Sequence, residues 1–285
     1  MNTKLLVIGG LAVVVGGGLI AWNMMRPARD TMPAQSNDQQ MTNPPPAITN
    51  SQTSTQPITQ ELLWQQSEGG WQSMGTPPAC PTQPMMAAPA DLSLATEVLY
   101  PGQTRGGNYK PHGGLRFDNS TNDDIAVTAP ADGYLLRGSR YLEMGEVQYS
   151  FDIMHNCGVM YRFDHLRELS AKMQAIADTF PAAVDDDSQT HSINPPVSVT
   201  KSETLATSVG FIKNKNVSLD WGVYDFRSEN EASAAAAFKT AHTQDKELSW
   251  HAVCWFDWLP AGDALTVRGL PAGDAVSGKT SDYCK

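Results

Sequence analysis

Apolar and polar positions alternate with a period of two through much of the second half of this chain, which is the signature of half-buried strands. Val147 to Met154 and Val159 to Phe163 are two such runs. They flank the polar turn His155-Asn156-Cys157-Gly158 and predict a β-hairpin. The same period sets Val159, Tyr161, Phe163 and His165 on one face of the second arm. Ile125 to Pro130 and Tyr134 to Leu136, split by Ala131-Asp132-Gly133, read as strand, turn and strand, and Ser218 to Phe226 is a further aromatic and β-branched run.

A helical period is rarer. Leu166, Leu169, Met173, Ile176 and Phe180 recur at steps of three and four, predicting one amphipathic helix that stops at Pro181. Ser228 and Glu231 have capping-box spacing ahead of a second helix over Ala232 to Ala241. Asp185-Asp186-Asp187 and Pro195-Pro196 mark an exposed excursion between the first helix and the next strands. The near copies LPAGDAL at Leu259 and LPAGDAV at Leu270 read as two Gly-Asp turns between short strands. The expected fold class is therefore mainly β, an antiparallel sheet core with two helical insertions. Trp221, Trp255, Phe256 and Trp258 are read as part of its core.

Two segments precede that core. Leu5 to Trp22 holds eighteen uncharged residues that are apolar or glycine. At 1.5 Å per residue they span roughly 27 Å, close to a bilayer core of about 30 Å. The segment reads as an uncleaved single-pass anchor, since bulky Trp22 stands where a cleavable signal would place small residues. From Arg26 to about Gln60 the chain is rich in Pro, Gln, Asn, Ser and Thr, too poor in apolar side chains to offset the entropy of ordering, and it reads as a solvated tether. Leu62 to Leu94 is intermediate, with Trp64 and Trp71 to pack but prolines breaking every period, and is taken as a second, partly docked linker. The expected organisation is an anchor over 1–25, a linker over 26–91, a β core over 92–227 and a C-terminal helix with a tail over 228–285.

The net charge of −10 excludes nucleic acid as a partner, because its phosphates would be repelled. Of the four cysteines, no two have the C-x-x-C spacing of a zinc knuckle or a redox pair. An even number in an anchored chain suggests disulfides and an extracytoplasmic face. Cys254 and Cys284, which bracket the tail, are the favoured pair among three possible connectivities.

Candidate chemistry enters with five stretches in a fixed order: His112-Gly113-Gly114, then VTAPADGYLL, DIMHNCGVMYRFDHL, VTKSETLATSVG and SLDWGVYD. Over roughly Val98 to Arg227 they resemble the lysostaphin-type zinc endopeptidases, whose sheet core is also called a duplicated hybrid motif. That family's pattern is His-x-Gly-x-Asp, a strand ending in Ala-x-x-Gly, a hairpin ending in Tyr-x-His-Leu, and a final His-x-His strand. The first His, the Asp and the last His hold zinc, and the other two His act on the bound water and the transition state. Carried over, His112 matches the first ligand and His165 a catalytic histidine. The Asp position is Arg116, and the His-x-His strand has become Ser218-Leu219-Asp220.

A catalytic zinc needs three protein ligands at roughly 2.0–2.2 Å and an open position for water. A guanidinium at one ligand position repels the cation. The expectation is thus a domain without a metal cofactor, in which Arg116 forms a metal-replacing ion pair with Asp220 or, failing that, with Asp118. The alternative is zinc on a displaced set, His112, Asp118 and Asp220, with His165 as base. What the resemblance implies is a cell-envelope role: a pseudoenzyme that binds murein peptides or an envelope protein, or else an active metalloendopeptidase.

Overall fold

The computed structural model of the chain describes residues 62–67, 70–83 and 85–285. The anchor and the tether expected upstream of residue 62 lie outside the described residues. Among the described residues no helix is long and apolar enough to cross a membrane.

The core is one seven-stranded sheet. Its strands are β1 (Glu97–Leu99), β2 (Gly113–Arg116), β3 (Gly133–Glu143), β4 (Glu146–Met154), β5 (Val159–Leu166), β6 (His191–Val199) and β7 (Ser218–Asp225). They are ordered β6-β3-β4-β5-β7-β2-β1, every neighbouring pair antiparallel. The β4–β5 hairpin falls where the alternating runs predict it. Gly158 closes its turn at a φ of +100°, a conformation that glycine adopts without the strain a Cβ would add. The prolines at 195 and 196 are not outside the sheet but in β6, an edge strand whose register slips between Ser192 and Val197, where missing N–H donors cost no ladder bond.

The two predicted helices are shorter than their periodicity. Leu166 ends β5 and Leu169 bridges to Ala206, so α1 spans only Ala171–Ala177, started by Ser170, whose side chain accepts from the Met173 N–H. The second breaks into a 3-10 turn, Glu231–Ala234, and α2, Ala236–Ala241, with Asn230 rather than Ser228 as the cap. The first LPAGDA copy starts a helix over Ala261–Gly269, with Pro260 at its N-cap and Asp263 in its first turn, while the second remains a loop.

One sheet face carries the main core, with Phe151, Ile153, Tyr161, Phe163, Leu219, Trp221 and Val223 packed on Trp255, Phe256 and Met173. The opposite face is built in successive rungs. Tyr134, Met154, Met160 and Tyr224 form an apolar rung; Asp152, Arg162 and Gly222 form a charged one; and Asp164, Asp220 and Gly114 form the third. The apolar rung is covered by an N-terminal hairpin, Trp64–Ser67 with Gly70–Ser73, and by Leu248 and Ala252. Trp64 donates from Nε1 to the Asn156 carbonyl at 2.8 Å, and Trp71 from Nε1 to Glu247 at 2.8 Å. Glu247 also binds Arg137 at 2.6 Å, so one carboxylate ties the hairpin to β3.

Among the described residues the folded unit therefore already includes the chain from Leu62 onward, some thirty residues before the expected boundary at 92. Trp64, Met85 and Met86 are buried in it. Disulfides join Cys80 to Cys157 and, as expected, Cys254 to Cys284. Replacing Cys80 and Cys157 together by serine should cost about 2–4 kcal/mol in chemical denaturation. Reducing both bonds should expose residues 62–91 and the tail to protease before the sheet, and fragments cut first within β3 to β5 would contradict this.

Candidate functional site

The third rung gathers the histidines. His112, just before β2, lies with Nε2 3.0 Å from Asp220 Oδ2, and His165 Nε2 is 3.5 Å from the same oxygen. The three side chains keep only 15–18 % of their exposure. Gly114 stands directly opposite Asp220, and a Cβ there would come within 2.5 Å of the Leu219 carbonyl and 3.1 Å of Asp220 Oδ1. The carboxylate thus has its place because the facing residue has no side chain.

His165 reaches this rung by an irregularity. The register of β5 on β4 shifts between Phe163 and Leu166, and His165 has a φ of +61°. The bulge turns His165 away from the face of Val159, Tyr161 and Phe163, where strict alternation puts it, and onto the polar face beside Asp164. Asp164 anchors the bulge: Oδ1 accepts from the His165 N–H at 2.9 Å and from the Tyr141 hydroxyl at 2.5 Å.

Charges in this cluster support one another. Burial by itself would push the Asp220 carboxyl up, but His112 and then His165 outweigh it and hold the group well below the usual carboxylate range. Burial likewise opposes a charge on His165. The hydrogen bond and charge of Asp220, with Asp164 and Glu143 nearby, overcome it and push the imidazole up to about 9.

Arg116 does not pair with Asp220. It stands opposite Ser218 on one side and Glu97 on the other, one rung from Asp220. Its Nε meets Glu97 at 3.1 Å and its Nη2 meets Asp118 at 2.7 Å, so the second expected partner is the one it finds. Asp118 is further held by the Thr96 hydroxyl at 2.8 Å. The displaced ligand set is consequently not assembled: His112 and Asp220 meet, while Asp118 faces Arg116 and Thr96. Among the described residues no group of three His, Cys, Asp or Glu side chains is arranged to hold a metal ion. The residues at the resembling positions do not fit the family's zinc, because one of its three ligand positions carries a guanidinium and no neighbour replaces it.

Tyr141, Glu143 and Asp164 also border the site, and no motif in the sequence marks them as site residues. Asp164 was within reach of the period of two, as the polar neighbour of Phe163. Tyr141 and Glu143 depend on how far β3 runs, which no local pattern sets. Of the remaining histidines, the Nδ1 atom of His155 accepts the Cys157 N–H in the hairpin turn, and His242 stacks on Tyr109 at 3.8 Å. Compared with known proteins, the chain matches no family model, no curated protein and no solved structure.

In an NMR titration the His165 imidazole should therefore show a midpoint near pH 9, falling towards the ordinary histidine value in Asp220→Asn. Because the folded-state pKa is raised, its contribution to stability is complete below about pH 6.5 and is lost as pH rises through 9. The wild-type unfolding midpoint should drop across that window more than that of Asp220→Asn. An unshifted His165 would refute the arrangement.

Proposed function

We propose that this chain is a cell-envelope binding or scaffolding module: a peptidase-like β core, carried outside the membrane on an N-terminal anchor and tether, that works without a catalytic zinc. The observation that carries this reading is the Asp220 carboxylate lying directly between two imidazoles. The resemblance puts a zinc-binding histidine at Asp220, and the positive partner of this cluster is now a protonated side chain. Arg116, at the other altered ligand position, serves the sheet edge through Glu97 and Asp118. Two disulfides suit an oxidising, extracytoplasmic setting.

A second reading, an active zinc metalloendopeptidase cleaving cell-wall peptides, draws on the meeting of His112 and Asp220 with His165 beside them as base. Metal analysis separates the two. The purified chain, dialysed against buffer containing zinc and then against metal-free buffer, should retain far less than one equivalent. One equivalent that disappears in His112→Ala would favour the peptidase. Under the first reading the protein should also co-sediment with isolated cell walls, and a protein that stays in the supernatant would leave only a structural role.

A further inference from the structure

Four of the eight large apolar side chains exposed among the described residues gather around one element, the tip of the β3–β4 hairpin. They are Met144 in the turn, Val147 at the start of β4, and Val184 and Ile212 on two neighbouring segments, each 36–57 % exposed. Both segments are bonded to the hairpin end. The Leu142 N–H donates to the Val184 carbonyl at 2.9 Å, and the Asp186 N–H to the Leu142 carbonyl at 2.8 Å. Glu146 accepts from the Ile212 and Lys213 N–H groups at 3.0 and 2.8 Å, and Lys213 Nζ donates to the Gly145 carbonyl at 2.7 Å. Glu143 and Asp186 border the tip and also the cleft of about 230 Å³ beside His112 and His165.

Packing does not account for Met144. Glu143 and Glu146 stand opposite each other, which leaves a two-residue turn of Met144 and Gly145 with φ values of +53° and +71°. Such a turn favours Asn-Gly, and a side chain with a Cβ is strained in its first position. Core contacts could offset that strain, but Met144 is more than half exposed, and its sulfur meets the polar Asn214 Nδ2 at 3.3 Å. The residue is presented to solvent, and methionine is a side chain that adapts to a partner's surface. Charge then selects the partner. Glu143 and the run Asp185-Asp186-Asp187 stand against Lys213 and Lys215, and Lys213 is already engaged by the Met144 and Gly145 carbonyls. An anionic membrane surface is repelled by this rim, and a second copy would bring two acidic runs together.

We propose that the tip of the β3–β4 hairpin is a docking surface for another protein, and that it takes an amphipathic segment whose apolar side meets Met144, Val184 and Ile212 and whose flanks carry Lys or Arg. Exposed apolar clusters rimmed by polar residues are what protein interfaces use. The backbone bonds that hold the two segments to the hairpin fix the surface in advance, so little ordering opposes association. The inference goes beyond the reading of the cleft and does not need it, since the tip serves a zinc-free module and an active peptidase alike.

Two measurements on the full chain test it. Met144→Asn installs the residue that the turn prefers, so the unfolding midpoint should hold or rise. A lower midpoint would show that Met144 is packed, and would overturn the inference. Binding is followed by NMR on the Met144 and Ile212 methyl groups with two amphipathic peptides of equal length, one of Lys and Leu and one of Glu and Leu. The Lys-Leu peptide should shift both methyl signals and bind at least tenfold more tightly than the Glu-Leu peptide. Met144→Asn and Ile212→Ser should each weaken it about tenfold, roughly 1.4 kcal/mol. Equal affinity for the two peptides, or shifts spread over the acidic surface without preference for the tip, would overturn the proposal. So would tip signals that move with phosphatidylglycerol vesicles, or with protein concentration alone. Zinc content is read separately: stoichiometric zinc removes the binding-module reading and leaves this one standing, and an inert tip does the reverse.

Discussion

A largely buried carboxylate must either take up a proton or keep positive charge at hand, and Asp220 does the second through two imidazoles. Much of the surrounding structure follows from that need. Gly114 leaves the room, β2 delivers His112 from one side, and the bulge in β5 delivers His165 from the other. Each contribution comes from a different strand, so the cluster exists only when β5, β7 and β2 are correctly registered. The polar centre is thereby a product of the sheet's pairing and not of any one segment.

The face that carries this cluster is graded along the strands. Apolar, charged and acidic-imidazole rungs follow one another at the two-residue spacing of β5 and β7. An apolar rung on an otherwise polar face needs a cover, and the chain supplies it from both ends, with Trp64 and Trp71 from one side and Leu248 and Ala252 from the other. Glu247 then joins the two covers to the charged rung by accepting from Trp71, Gln66 and Arg137. The same closure bounds the inner end of the cleft beside His112 and His165.

The local patterns foretold the strands well. The β4–β5 hairpin, β7 and the Cys254–Cys284 pair were all legible, because alternation and bracketing are properties of short segments. Leu166 and Leu169 misled the helix boundary, as leucines at helical spacing are equally suited to a strand end and a bridge. His165 was assigned the wrong face because a single bulge inverts everything downstream of it, and no residue near Asp164 announces one. At Arg116 the resemblance favours Asp220 as the first partner. Register decided otherwise by placing Glu97 beside it, and that strand, Glu97–Leu99, is only three residues long. The docking of Trp64 and Trp71 joins positions nearly a hundred or more residues apart and so leaves no local trace.

The Cys80–Cys157 bond and the hairpin before it bear on how the molecule can be divided. A fragment begun at residue 92, where composition invites a cut, would lose Cys80 and leave Cys157 as an odd thiol on a turn. It would also strip Trp64 and Trp71 from Tyr134, Met154 and Met160, baring a sticky patch of the kind that drives aggregation. A fragment that keeps this patch covered and Cys157 paired must retain the tryptophans and Cys80 upstream of the sheet.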